Sequence, residues 1–127
     1  GSLTPTRDFN YIKDTARGFI EIAESPATIG EVVNIGSNFE MSIGETASMI
    51  AGIMEAEVEI EAEAQRIRPG KSEVTRLWAD TSKAERLFGW RPAYGGKSGF
   101  RRGLTETVEW FCDEGNLKGY KSDRYIL

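Results

Sequence analysis

Apolar residues recur along this chain at two periods, and the changes of period mark its elements. Arg7-Asp8-Phe9-Asn10-Tyr11-Ile12 reads as a short extended segment, with Phe9 and Tyr11 on one face by the two-residue repeat. Asp14 stands where a helix N-cap belongs. Ala16, Phe19, Ile20 and Ala23 follow at i, i+3, i+4 and i+7, one face of a helix. Ser25-Pro26 closes that helix, because proline drives the residue before it out of helical geometry. Glu31 to Gly36 reads as a buried strand running into a turn. Ser42-Ile43-Gly44-Glu45 has the form of a capping box, in which the serine oxygen accepts from the third amide while the glutamate reaches back. Ile43, Ala47, Ile50, Ala51 and Met54 then make an apolar stripe.

Glutamates at 55, 57, 59, 61 and 63 alternate with Ala56, Val58, Ile60, Ala62 and Ala64. Strict alternation favours a strand with one wet face, since a helix would scatter these carboxylates around its whole surface. Residues 65–74 form a basic, polar loop around Arg66, Arg68 and Pro69. Thr75 to Ala79 is a short strand. Asp80 or Ser82 caps a helix carrying Ala84, Leu87 and Phe88, and Gly89 stops it. Gly95, Gly96 and Gly99 mark a flexible loop. A last helix starts near Phe100, shows Phe100, Leu104, Thr107, Val108 and Phe111 at helical spacing, and ends at Gly115. The expected fold is α/β (α+β): a small mixed sheet with about four helices. Residues 3–115 make the folded segment and 116–127 a docking tail.

Composition narrows the chemistry. The chain has 127 residues, 39% apolar and 28% charged, enough for one modest domain. A net charge of −4 gives no reason to expect nucleic acid or an anionic membrane as partner, and no apolar run approaches the length of a membrane span. Cys112 is the only cysteine and histidine is absent, so intrachain disulfides, histidine-based triads and histidine-rich zinc sites are excluded. A lone cysteine fits a cytoplasmic setting. Trp78, Trp90 and Trp110 belong on this reading to the core or to a buried interface.

The residues with binding chemistry are two arginines about sixty positions apart. Arg7 precedes an extended segment and Arg68 sits in a loop stiffened by Pro69. Arginine suits a diphosphate because its planar fork donates paired hydrogen bonds and stays charged at any working pH. Asp8 and Asp14 read as structural, and Asn34 as a residue that orients its turn.

Four stretches, in order, give these arginines a context: "TRDFNYIKD" at 6–14, "GEVVNIGS" at 30–37, "RIRPGKSEV" at 66–74 followed by "ADTSKAERLFGWRP" at 79–92, and "GLTETVEWF" at 103–111. Together they resemble the C-terminal segment of the extended short-chain dehydrogenase/reductases, the NAD-dependent nucleotide-sugar epimerases and dehydratases. Within that family the "RPGKSEV" loop and the tail "NLKGYKSDRYIL" are most similar to dehydratases acting on nucleotide-linked N-acetylglucosamine. The resemblance implies that Arg7 and Arg68 contact the diphosphate of a UDP- or GDP-linked sugar, with Arg66 a substitute for Arg68. It implies an acid on the ribose. The three-residue offset from Arg68 falls on Lys71, so Glu73 is the nearest candidate, and a surface glutamate is the other reading of it.

The resemblance also implies NAD in the parent enzyme, yet this chain has neither motif that would use it. There is no Gly-x-Gly-x-x-Gly after a strand. Four residues after Tyr11, Tyr94 and Tyr120 stand Thr15, Ser98 and Arg124, so no Tyr-x-x-x-Lys exists. The expectation is a nucleotide-sugar-binding segment with no catalytic residue or cofactor site of its own. The competing expectation is an independently expressed module that self-associates as a homo-oligomer without ligand; an excised piece of a complete enzyme is a third.

Overall fold

The computed structural model describes residues 2–61 and 74–118. Strand β1 (Thr6–Asp8) leads to helix α1 (Ile12–Glu24), a short 3-10 turn (Pro26–Thr28), strand β2 (Glu40–Ser42) and helix α2 (Ile43–Ile53). Strand β3 (Arg76–Leu77) and helices α3 (Ser82–Phe88), α4 (Gly96–Cys112) and α5 (Glu114–Leu117) complete the described residues. The sheet order is β2-β1-β3. β2 runs antiparallel to β1 with Arg7 opposite Met41, and β3 runs parallel with Arg7 opposite Leu77. This is the mixed α/β fold expected from the sequence, with five helices among the described residues where about four were expected.

The capping box is formed as the sequence predicts: Ser42 Oγ accepts from Glu45 N, and the Glu45 carboxylate accepts from Ser42 N. Gly89 ends α3 in the left-handed region at φ 71°, where a side chain would be strained. Asp80 Oδ1 accepts from Ser82 N just ahead of α3, while the cap position itself falls on Thr81.

The core is small. Among the described residues Met41, Ala84, Trp90 and Phe100 are its buried apolar members. Trp90 is 1% exposed, donates from Nε1 to Gly36 O at 3.2 Å, and lies under the Arg17 guanidinium at 4.4 Å. Gly18 lets α1 approach this ring: a Cβ there would sit 2.5 Å from Ile35 Cδ1 and 3.2 Å from Trp90. α2 packs against α4 on the other side.

Several expectations are corrected. Asp14 is not an N-cap: α1 begins at Ile12, and Asp14, buried in the first turn, accepts from Ala93 N at 3.0 Å and Tyr94 N at 2.8 Å. The predicted apolar face of α1 exists, but Ala16, Phe19, Ile20 and Ala23 all lie exposed; the helix buries Asp14 and Gly18 instead. Residues 31–36 form no strand. They have no paired neighbour among the described residues, and Val32 is exposed. Residues 56–61 likewise form no strand, because alternation alone cannot satisfy backbone groups without a partner; 62–64 lie outside the described residues. The glycines at 96 and 99 belong to α4, with Gly99 packed against the Tyr94 backbone. The helix breaks at Asp113, before Gly115. Of the tryptophans only Trp90 is buried; Trp78 and Trp110 are exposed.

Candidate functional site

Arg7 lies on the central strand of the sheet, so its backbone is held from both sides. Residues paired across a sheet share a face, which puts Arg7 with Met41 and Leu77, and Thr6 with Ser42 and Arg76. The Arg7 guanidinium, half-buried, donates from Nη1 to Thr6 O at 2.7 Å. No carboxylate among the described residues lies within ion-pair distance of it. In contrast Arg17 pairs with Asp14 and Glu21, and Arg91 with Glu85.

Arg76 is the arginine the sequence reading passed over, and it stands one strand from Arg7. It is committed: Nε and Nη2 clasp the two Glu40 oxygens at 2.7 and 2.8 Å, and Thr6 Oγ1 adds a third bond to Glu40. The Arg76 fork holds the Glu40 carboxyl below its usual pKa. The guanidinium also lies 4.7 Å from the centre of the exposed Trp78 ring.

Asp8 does the structural work expected of it. One carboxylate oxygen accepts from Ser37 N at 2.8 Å and from the Ser37 hydroxyl; the other reaches Ala79 N at 3.4 Å. Gly36 makes this possible, since a Cβ there would fall 2.7 Å from Asp8 Oδ2 and 2.8 Å from Ala79 Cβ. Asp8 thus ties 33–37 and 77–80 to the end of β1, and between them opens a cleft of about 500 Å³ that also exposes Asn10, Asn34 and Asp80.

A second cluster joins the start of α1 to α4. Glu106 accepts from Lys13 Nζ at 2.6 Å, Tyr94 OH at 2.8 Å and Tyr11 OH at 3.0 Å. These donors, Lys13 first, hold its carboxyl at a pKa of about 2. Burial and the bond to Glu106 push the Tyr11 hydroxyl up, and the bond to Glu106 does so for Tyr94. With all three donors turned onto one carboxylate, the cluster acts as a clasp between helices. Residues carrying it are far apart in the chain and have no common spacing signal.

Arg66, Arg68 and Glu73 lie outside the described residues, so of the predicted ligand contacts only Arg7 is placed. At the β2–α2 junction, where a strand among the described residues runs directly into a helix, the Glu45 carboxylate occupies the helix N-terminus and the Glu45 amide is taken by Ser42. An anionic phosphate would meet a like charge at that position. Among the described residues no group of acidic or cysteine side chains could hold a metal ion, and no helix is long and apolar enough to cross a membrane.

The arrangement is that of the extended short-chain dehydrogenase/reductases. It superimposes on UDP-N-acetylglucosamine 4-epimerase from Methanobrevibacter ruminantium, solved with UDP-N-acetylmuramic acid, with a TM-score of 0.73 at 28% identity, covering 88% of this chain and 33% of that one. For dTDP-glucose 4,6-dehydratase from Bacillus anthracis, solved with NAD, the TM-score is 0.72 at 26% identity, covering 95% and 35%. Residues 1–103 match the family described as GDP-mannose 4,6 dehydratase, and the chain belongs to that family of NAD-dependent nucleotide-sugar epimerases and dehydratases. UDP-glucuronate 4-epimerase of Thermodesulfobacterium geofontis is 35% identical over 112 residues, 87% of this chain and 31% of the relative. The human dTDP-D-glucose 4,6-dehydratase is 30% identical over 125 residues, 96% and 33%. The chain therefore spans about a third of the length of these relatives.

Proposed function

We propose that this chain is the nucleotide-sugar-binding portion of an NAD-dependent 4,6-dehydratase or epimerase, and that it is not catalytic alone. The observation that supports this reading most directly is Arg7: a guanidinium on the central strand of a family fold, with no acidic partner among the described residues. Arg7 and Arg68 take the diphosphate of a UDP- or GDP-linked sugar, and Glu73 the ribose. The resemblance of the "RPGKSEV" sequence to dehydratases of nucleotide-linked N-acetylglucosamine favours an N-acetylglucosamine-type sugar. NAD and the proton-transferring residues belong to a part of the enzyme that this chain does not supply.

A charge-assisted hydrogen bond contributes about 1.5–3 kcal/mol, so Arg7→Ala should weaken binding of a UDP- or GDP-sugar by roughly ten- to a hundredfold. Titration calorimetry on the wild-type chain, Arg7→Ala and Arg68→Ala measures this directly. Equal affinities in all three would refute the assignment.

The exposed apolar face of α1 favours a second reading, in which the chain is an independently expressed module that self-associates and does not bind ligand.

A further inference from the structure

The face of the sheet opposite Arg7 carries a side-chain clasp that crosses all three strands. Glu40 on β2, Thr6 on β1 and Arg76 on β3 share that face by register. Arg76 Nε and Nη2 donate to the two Glu40 oxygens at 2.7 and 2.8 Å, and Thr6 Oγ1 donates to Glu40 Oε2 at 3.1 Å. A bidentate pair of this kind fixes geometry as well as charge. The Trp78 ring, 4.7 Å from the Arg76 guanidinium, restricts it further. Glu40 is by itself an unfavourable choice for its position. It stands opposite Asp8 in the β1–β2 ladder, and carboxylates facing each other across two strands repel. Arg76 offsets that repulsion.

Strand β3 needs the clasp more than its neighbours do. It is two residues long and both are exposed, so its own pairing with β1 holds it weakly. Thr6 then connects the clasp to Arg7. The Thr6 amide donates to Thr75 O at 2.9 Å, just ahead of β3, and the Thr6 carbonyl accepts from Arg7 Nη1 at 2.7 Å. The residue whose hydroxyl is bonded to Glu40 is therefore the one that holds the Arg7 guanidinium.

We propose that Glu40 and Arg76 are positioning residues for Arg7: their clasp fixes Thr6, and the Thr6 carbonyl aims the Arg7 guanidinium at its anion. This rests on the reading of Arg7 as a diphosphate-binding residue. A guanidinium carries five N–H donors, and one nitrogen anchored on Thr6 O leaves the fork less rotamer freedom to lose when a ligand is bound.

A double-mutant cycle with two readouts tests this on the 127-residue chain. Calorimetry uses UDP-N-acetylglucosamine and GDP-mannose as probes, and the variants are measured with the one that binds more tightly. Glu40→Gln and Arg76→Gln should each weaken binding about three- to tenfold. The double variant E40Q/R76Q should be no weaker than the weaker single, because both substitutions remove the same clasp. Amide hydrogen exchange reads the clasp without ligand. The Thr6 amide should exchange faster in each variant, while the Ile43 amide, which donates to Pro5 O at 3.0 Å on the β2 side, keeps its wild-type protection. Unchanged exchange at Thr6, or affinity losses that add in the double variant, would overturn the proposal. Faster exchange at both amides would make the pair a general stabiliser of the sheet and overturn it as well. Wild-type affinity in Glu40→Gln beside a weakened Arg7→Ala would remove the positioning role and leave the nucleotide-sugar reading standing. If the wild-type chain binds neither probe, that reading falls and the proposal falls with it.

Discussion

Asp14 gives the sharpest energetic test of the fold, because its two readings differ in magnitude. An aspartate acting as a helix N-cap is worth about 1 kcal/mol when replaced by alanine, and serine serves as well as aspartate in that role. The structure gives Asp14 a different task. Its carboxylate, 1% exposed, accepts from the backbone amides of Ala93 and Tyr94 at 3.0 and 2.8 Å and from Arg17 Nη2 at 3.0 Å. Arg17 is part-exposed and keeps Glu21 as a partner, so its share is small. The two amide bonds carry the effect, at about 1.5–3 kcal/mol each for a charged acceptor. Asp14→Ala should therefore cost about 3–5 kcal/mol, a large fraction of the roughly 5–15 kcal/mol that holds an ordinary domain folded. Asp14→Ser should cost nearly as much, since a shorter hydroxyl cannot bridge both amides. Urea unfolding followed by tryptophan fluorescence, to which the buried Trp90 contributes, measures all three proteins. If both variants fall within about 1 kcal/mol of wild type, the clasp between α1 and the 93–94 turn contributes nothing and the capping account is right.

Two further perturbations test the packing around that clasp. Glu106 has its folded-state pKa lowered from 4.5 to about 2, so its contribution is present above pH 4.5 and is lost as the pH falls toward 2. The urea midpoint of the wild type should drop over that window, and a Glu106→Gln variant should show a shallower fall there; identical pH profiles would remove Glu106 from the account. Gly18→Ala should destabilise by about 1–3 kcal/mol despite alanine's better helix propensity, because the new methyl would sit 2.5 Å from Ile35 Cδ1 against a closely packed Trp90. A stabilised variant in thermal unfolding would show that this contact relaxes freely.

What could be read in the sequence and what could not follow one division. Signals that depend on a few neighbouring residues came through: the Ser42–Glu45 capping box, the Gly89 stop and the apolar periodicity of α1 and α4. Signals that need a distant partner did not. Asp14 looks like a cap because the local pattern permits it; its amide donors are about eighty residues away. The same is true of Glu106, whose donors come from 11, 13 and 94. Residues 31–36 and 55–61 have the alternation or apolar run of strands, yet a strand exists only where another pairs with it, and neither stretch has a partner among the described residues. Of the residues proposed to bind the nucleotide sugar, Arg7 lies on the sheet, while Arg68 and Glu73 fall outside the described residues.

The contrast between Arg7 and Arg76 says why a family motif carries more than an arginine count. Both residues sit on adjacent strands of one small sheet. The side chain of Arg76 is on the Thr6 face, where Glu40 neutralises it through two short bonds. Arg7 is on the opposite face, one step along the strand, where its neighbours in register are Met41 and Leu77 and neither can neutralise it. Period-two alternation thus sorts two chemically identical groups into a structural ion pair and a guanidinium with no carboxylate partner among the described residues. Asp8, the next residue, returns to the first face and spends its carboxylate on Ser37 and Ala79, away from Arg7. The adjacency of arginine and aspartate in "TRDF" therefore does not make them an ion pair: the pleat separates them, and among the described residues Arg7 has no carboxylate partner.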